Sequence, residues 1–176
     1  MILLPWFLPG ACISLVIGVI ASRRAAAAIG ASRAVGGLLV VALGLVIAAT
    51  LTPVPRGADE TGVGTCDFGR IGLAPLEELA TINDTTLNIL LFVPLGVAVA
   101  LVPGRGTRAR LAGVAVALPF AIEAVQLVAT TLHRGCQSAD VSDNVTGFAA
   151  AFVVASAARL ASGALTHRVM RRTERR

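Results

Sequence analysis

Charged residues are scarce in this chain of 176 residues, because Asp, Glu and Arg together make up 14% of it and lysine is absent. A water-soluble domain of this size needs roughly a quarter of its residues charged to cover its surface. Hydrophobic residues account for 56% of the chain, and the mean hydropathy is +0.82. The composition therefore excludes most soluble classes of protein.

Long apolar runs follow from this composition. Only Glu123 and Arg159 among the charged residues fall inside them. About 20 helical residues cross a hydrocarbon layer roughly 30 Å thick, and open sheets cannot satisfy their backbone there. We therefore predict an all-α, polytopic membrane bundle with about five transmembrane helices, forming one domain over residues 1–176. The predicted spans are residues 2–21, 34–51, 87–102, 111–132 and 145–164.

The arginines alternate with the spans. They concentrate in residues 22–33, 103–110 and the basic tail 165–176, whereas residues 52–86 and 133–144 are net acidic. Arginine in short loops marks the cytoplasmic side of a membrane protein. The pattern predicts a retained first span, an N-terminus outside and a C-terminus in the cytoplasm. Because the basic residues do not form one face, we expect no nucleic-acid partner.

Two of the three cysteines fall in loops that this topology assigns to the outside. Cys66 lies in the long outer loop and Cys136 in the short one, while Cys12 lies in the first apolar run. The outside is the oxidising side, so we predict a disulfide between Cys66 and Cys136. Two free thiols are the alternative, since a sequence does not supply the geometry of a bridge.

Polar residues inside or beside the spans gather toward the predicted outer side. Glu123 lies within the fourth run, Gln126 follows at i+3, and Asn88 begins the third run. Carboxylates in membrane spans usually face the bundle interior and serve binding, transport or proton transfer. The alternative is a set of interhelical hydrogen bonds that only lock the bundle.

A second polar group precedes the last span. If that helix begins near Asp140, then Asp140, Asp143, Asn144 and Gly147 share one stripe. Helix capping and close packing are the alternative explanation. Arg134 is expected either to pair with Asp143 or Asp140 or to contact an anion.

Small residues and prolines also follow helical spacing. Gly113, Ala117 and Ala121, and likewise Gly147, Ala151 and Ala155, recur every four residues, which predicts close packing against other helices. Prolines interrupt the third and fourth spans, and an acidic segment after Pro75 predicts a short interfacial helix. The residues concerned are Pro94 and Pro119 in the spans, and Leu76, Leu79 and Ile82 in the interfacial helix.

Three segments in this order resemble the VanZ-like family of bacterial membrane proteins: NILLFVPLG at 88–96, IEAVQ at 122–126 and RGCQSADVSDNVTG at 134–147. GLAPLEEL at 72–79 is similar to the segment that precedes them, which gives a family-like core of about 72–164. The resemblance implies a multi-pass protein of the bacterial cell membrane. The polar site it implies comprises Asn88, Glu123, Gln126, Arg134, Asp140, Asp143 and Asn144, with Pro94, Gly96 and Gly147 setting its shape.

The name-giving member of that family is associated with glycopeptide resistance, but a shared family does not transfer a phenotype or a reaction. We expect a protein that binds or handles an envelope component, a lipid-linked precursor or a glycopeptide at the outer leaflet. Its other partner is the lipid bilayer.

Two alternatives are an intramembrane enzyme with Glu123 as general acid or base, and a structural scaffold. HExxH and GxSxG motifs are absent, and we expect no cofactor. His133 with Asp140 and Asp143 is a weak metal pattern, so no metal is expected. The sequence assigns no catalytic residue and no oligomeric state.

Overall fold

The computed structural model describes residues 6–55 and 62–173, with side chains as far as residue 162. The helices are α1 (Phe7–Ile29), α2 (Arg33–Thr50), α3 (Leu76–Leu79), α4 (Asp84–Ala100), α5 (Arg105–Val128) and α6 (Ser138–Thr173). Two-residue strands β1 (Cys66–Asp67) and β2 (Cys136–Gln137) form a parallel pair, and Thr130–Leu132 forms a 3₁₀ turn. The predicted all-α architecture is confirmed.

Some predicted features lie outside the described residues. These are the start of the first span before residue 6, the charged residues at 56, 59 and 60 of the acidic loop, and the last three residues of the basic tail.

Four helices have the length and composition of membrane spans. They are α1, α2, α5 and the part of α6 from Ser138 to Ser162. The apolar helix α4 has 17 residues, so at 1.5 Å per residue it is about 26 Å long. The predicted third span is thus the shortest of the five apolar helices.

Several helix boundaries differ from the predicted runs. α1 continues to Ile29, so Arg23 and Arg24 lie on the helix rather than in a loop, and Gly30 ends it with φ of 62°. α5 begins at Arg105 instead of residue 111, and α6 begins at Ser138 instead of residue 145. Hydropathy misses these segments because each contains charged residues, which are arginines in α1 and α5 and aspartates in α6.

The buried core is shared by α2, α4, α5 and α6. α1 packs along α2 in the opposite direction, since Gly10 lies at Ala48 and Gly36 lies at Ala26. The largest fully buried side chain is Phe92 of α4. The buried core residues are Leu39, Ala42, Val46, Phe92, Leu95, Ala98, Val99, Ala115, Ile122 and Phe148.

Helices α4 and α6 run in the same direction and approach each other closely through glycine. A Cβ atom on Gly147 would collide with the backbone of Ile89, and one on Gly96 would collide with the carbonyl oxygen of Phe148. Glycine is the residue that lets backbones come this close. The packing role expected for Gly96 and Gly147 is therefore confirmed.

The small-residue stripe of α5 behaves differently. Gly113, Ala117 and Ala121 are all exposed, and a Cβ atom on Gly113 would meet no described atom within 4 Å. The prediction that this stripe packs against another helix of the chain is wrong. The reason is that α5 turns its opposite face, with Ala115 and Ile122, toward the core.

At the end of the bundle where α4 stops, two arginines satisfy one carbonyl. Arg108 and Arg159 donate to the carbonyl oxygen of Val102 at 3.2 Å and 3.1 Å. Carbonyls at a helix C-terminus lack donors within the helix, and arginine there is favourable. Arg159 lies within a predicted span, but its guanidinium donates to a carbonyl just after the C-terminus of α4.

We expect Gly147→Ala to lower the free energy of unfolding by about 1–3 kcal/mol, the usual cost of overpacking. Gly113→Ala is the matched control, because its methyl group enters open space; it should be neutral or stabilising by about 0.5 kcal/mol. Thermal unfolding in detergent, followed by circular dichroism, measures both. Equal stability of the two variants would contradict the close approach of α4 and α6.

Candidate functional site

The predicted disulfide between Cys66 and Cys136 joins two segments that are 70 residues apart in the chain, with 4.4 Å between their Cα atoms. It lies where α2 and α5 end and where α4 and α6 begin, and we call this the disulfide end. The N–H of Cys136 also donates to the carbonyl of Thr65 at 3.2 Å. The disulfide and the paired strands therefore fix the long loop to the short one.

Arg134 binds the C-terminus of α2. Its Nη2 donates to the carbonyl oxygen of Ala49 at 2.7 Å, and its Nε donates to that of Thr52 at 3.1 Å. A backbone hydrogen bond from Val54 to Leu132 holds the short loop beside this helix end. Arg134 thereby supplies donors that the final carbonyls of α2 need.

This arrangement replaces the expected ion pair of Arg134 with Asp143 or Asp140. The guanidinium lies close enough to Asp140 and Glu123 to be attracted by both. Burial nevertheless has the larger effect and lowers the pKa of Arg134 below its ordinary value. The ion-pair expectation is wrong, because α2 takes up the Nε and Nη2 donors and another arginine holds Asp143.

Gln126 and Glu123 bind backbone groups of neighbouring segments. The Nε2 of Gln126 donates to the carbonyl of Thr50 at 2.9 Å, and Glu123 Oε2 accepts from the N–H of Gln137 at 2.7 Å. Both side chains are buried, with 4% and 5% of their surface exposed. Glu123, which lies on α5, thus holds strand β2 against that helix.

Two further contacts connect α6 to its neighbours. Asn88 on α4 donates through Nδ2 to Asp140 Oδ1 at 2.7 Å. Arg70 in the long loop donates through Nη2 to Asp143 Oδ2 at 2.6 Å. This hydrogen bond raises the pKa of Arg70 above its ordinary value. Asp140 and Asp143 therefore tie α4 and the long loop to the first turns of α6.

The sequence reasoning missed Arg70. The signal available was that it is the nearest arginine to Cys66, in a loop otherwise rich in acidic residues. Ser138 and Ser142 were missed as well: the first donates to the carbonyl of Arg70 at 2.7 Å, and the second accepts from the N–H of Gly72 at 3.2 Å. These contacts seat the long loop on α6.

Three buried acceptor oxygens at this end have no hydrogen-bond partner among the residues that the structure describes. They are Oε1 of Gln126, Oδ1 of Asp143 and Oδ1 of Asn144. Asp143 and Asn144 are each only 1% exposed. Buried polar atoms are normally satisfied, so unpaired acceptors concentrated in one region indicate a place where a donor can bind.

The structure therefore brings the predicted polar residues to one end of the bundle, but it gives most of them a partner inside the chain. Asn144 alone among the seven predicted residues has no described side-chain hydrogen bond. Within residues 6–55 and 62–162, no three His, Cys, Asp or Glu side chains are grouped so that they could hold a metal ion.

The long loop and the start of α4 expose large apolar side chains beside this polar region. The helix α3 has only four residues, and Leu76 projects from it, 83% exposed. A depression of about 210 Å³ adjoins Leu87 and Asp84 at the start of α4. The exposed apolar residues, each between 71% and 83% exposed, are Phe68, Ile71, Leu73, Leu76 and Ile82.

Replacement of Glu123 tests its structural contribution. Glu123→Leu leaves the N–H of Gln137 without its acceptor, so we expect a loss of about 1–3 kcal/mol in the free energy of unfolding. Glu123→Gln retains a carbonyl acceptor and should lose less than about 1 kcal/mol. Thermal unfolding in detergent compares them; a Leu variant as stable as the native protein would show that this hydrogen bond contributes nothing.

The sequence of the chain also matches a known protein family. Residues 39–159 match the family model described as VanZ/LLP1, a region that runs from the middle of α2 into α6 and includes all seven polar residues. No curated protein and no solved structure matches the chain. The match extends further toward the N-terminus than the segments that carried the resemblance, and since it covers more than half of the sequence, the chain belongs to the VanZ/LLP1 family.

Proposed function

We propose that this VanZ-like membrane protein binds an amphiphilic component of the bacterial cell envelope at the outer leaflet. The disulfide end is the binding region, oriented outward as the arginine distribution predicts. The ligand class is a lipid-linked cell-wall precursor or a glycopeptide, both of which combine polar groups with an apolar part. The protein binds or presents this component.

One observation carries the proposal: exposed apolar side chains adjoin buried polar groups at the disulfide end. Ile71 and Leu73 are 81% and 78% exposed. They flank Gly72, whose backbone N–H donates to the hydroxyl oxygen of Ser142 on α6. Apolar side chains of this size contribute about 1.5–3 kcal/mol each when a ligand or a bilayer buries them. An amphiphile would cover these apolar side chains of the long loop and, at the same time, approach the acceptors of α6.

Acidic residues also mark this end of the bundle. α4 and α6 both begin there, with Asp84 and Asp140 in their first turns. Acidic residues at helix N-termini are favourable because they complement the helix dipole. Asp84 is exposed and Asp140 is half-buried, so hydrogen-bond donors of a ligand would meet carboxylates there.

A structural scaffold is the second candidate. The observation in its favour is that hydrogen bonds inside the chain engage the side chains of Asn88, Glu123, Gln126, Arg134, Asp140 and Asp143. A scaffold needs no ligand, so it predicts that the isolated protein binds neither a lipid-linked precursor nor a glycopeptide.

The test measures binding of a fluorescent lipid-linked cell-wall precursor and of teicoplanin to the protein in nanodiscs. The double variant Ile71→Ser, Leu73→Ser should weaken binding of the cognate probe by about tenfold, which corresponds to about 1.4 kcal/mol of lost apolar contact. The matched control is Leu160→Ser, an exposed apolar position on the far part of α6. It should bind like the native protein.

Three outcomes would contradict the proposal, two in the binding test and one in the test of orientation. Binding of neither probe would favour the scaffold. An equal loss in the double variant and in Leu160→Ser would show that the apolar loop has no special part in binding. Labelling of a cysteine placed at Leu73 by a membrane-impermeant reagent in whole cells gives the orientation, and absence of labelling would contradict the outward placement.

A further inference from the structure

The first turns of α6 present hydrogen-bond acceptors that the protein leaves unfilled. Asp143 uses Oδ2 to accept from Arg70, while its Oδ1 has no partner within residues 6–55 and 62–162. Asn144 follows, and its Oδ1 is also buried and has no partner in the same ranges. Asn144 lies one turn after Asp140, on the same stripe of the helix. We call Asp140, Asp143 and Asn144 the α6 acceptor site.

The arginines near this site are already engaged. Arg134 donates to the carbonyls of Ala49 and Thr52 at the end of α2. Arg70 donates to Asp143 and, through Nη1, to the carbonyl of Gly72 at 3.1 Å. Both guanidinium groups therefore have donors occupied within the chain, and the groups left without a described partner on α6 are carboxylate and amide oxygens. The chemistry of the site favours a ligand that donates hydrogen bonds and carries positive charge.

Arg70 covers the site from outside. Its side chain is 23% exposed, whereas that of Asp143 is 2% exposed, so Arg70 is the more accessible partner of this ion pair. Glu78 and Asp140 attract the same guanidinium. Arg70 thus occupies the position that an external cation would take, on a loop whose neighbouring side chains, Phe68 and Ile71, are apolar and exposed.

We infer that the α6 acceptor site binds the primary ammonium group of an outer-leaflet amphiphile, and that Arg70 occupies the site in the free protein and competes with this ligand. The inference rests on the proposed function, because it specifies the headgroup of the amphiphile. An ammonium group has three N–H donors, and the oxygens of Asp143 and Asn144 that lack a described partner are acceptors. Its apolar part would lie along the exposed side chains of the long loop.

The experiment compares two lipids that differ in their N–H donors. Delipidated protein in detergent is titrated with phosphatidylethanolamine and with phosphatidylcholine, its trimethylated counterpart, and binding is measured by native mass spectrometry. We expect phosphatidylethanolamine to bind about tenfold more tightly, the factor for one charge-assisted hydrogen bond. Phosphatidylglycerol, an anionic lipid, should bind no better than phosphatidylcholine. Free ethanolamine should compete only at far higher concentration, because it lacks the apolar part.

Variants at the site should change the affinity in opposite directions. Arg70→Ala removes the competitor and should tighten phosphatidylethanolamine binding several-fold. Asp143→Asn should weaken it by about tenfold. Asn144→Ala leaves the Arg70–Asp143 contact in place and should weaken it about fivefold, so the test does not depend on Asp143 variants that fold poorly. Arg110→Ala and Glu77→Gln, at exposed positions outside the site, are the charge-matched controls and should leave binding unchanged.

The results separate this inference from the proposed function. Equal binding of the two zwitterionic lipids, or preference for phosphatidylglycerol, overturns the ammonium site but leaves the proposed function intact if the lipid-linked precursor or teicoplanin still binds. Weaker binding in Arg70→Ala overturns the competition and makes Arg70 a contact for the ligand. Competition by free ethanolamine as strong as that by the lipid would identify a soluble amine as the ligand. Loss of all amphiphile binding removes both proposals.

Discussion

The contact on which the disulfide end depends is that of Arg134 with the last carbonyls of α2. Backbone groups near a bilayer must find partners inside the protein, and a helix C-terminus exposes several carbonyls that have none. Arg134 donates to one of these carbonyls, that of Ala49, and to the carbonyl of Thr52 just beyond the helix, while Gln126 donates to that of Thr50. This contact places the short loop, and with it Cys136 and the first residues of α6, against the rest of the bundle.

From that contact the positions of the other groups follow in sequence. Cys136 carries the disulfide to Cys66, and the strand beside it gives Glu123 a backbone N–H to accept. The long loop then reaches α6, where Arg70 meets Asp143. The close packing of α4 on α6 brings Asn88 to Asp140. Each polar contact thus limits the freedom of the next, and the acceptors of α6 are held in place before any ligand arrives.

How much of this was predictable depends on whether a pattern lies within one helix or between two. Hydropathy and arginine spacing predict the spans, and the i, i+3, i+4 pattern places Asp140, Asp143 and Asn144 on one stripe. The same periodicity wrongly assigned the Gly113 stripe to packing, because a small-residue pattern does not state which face of α5 meets the core. The partner of Arg134 was missed for a related reason: the free carbonyls of α2 are backbone groups, which a sequence does not display. Arg70 lies 73 residues from Asp143, so no local pattern joins them.

The seven polar residues are therefore better distinguished by how completely they are paired than by where they lie. Arg134 and Glu123 are used to join segments, and replacing either removes a partner from the backbone. Asn144 and one oxygen of Asp143 are buried on the same helix without a donor in the described part of the chain, which costs free energy of folding. A bundle selected only for stability would fill those positions with apolar residues of similar size. The retained acceptors, next to Arg70, are what favours our proposal of a binding role over a purely structural one.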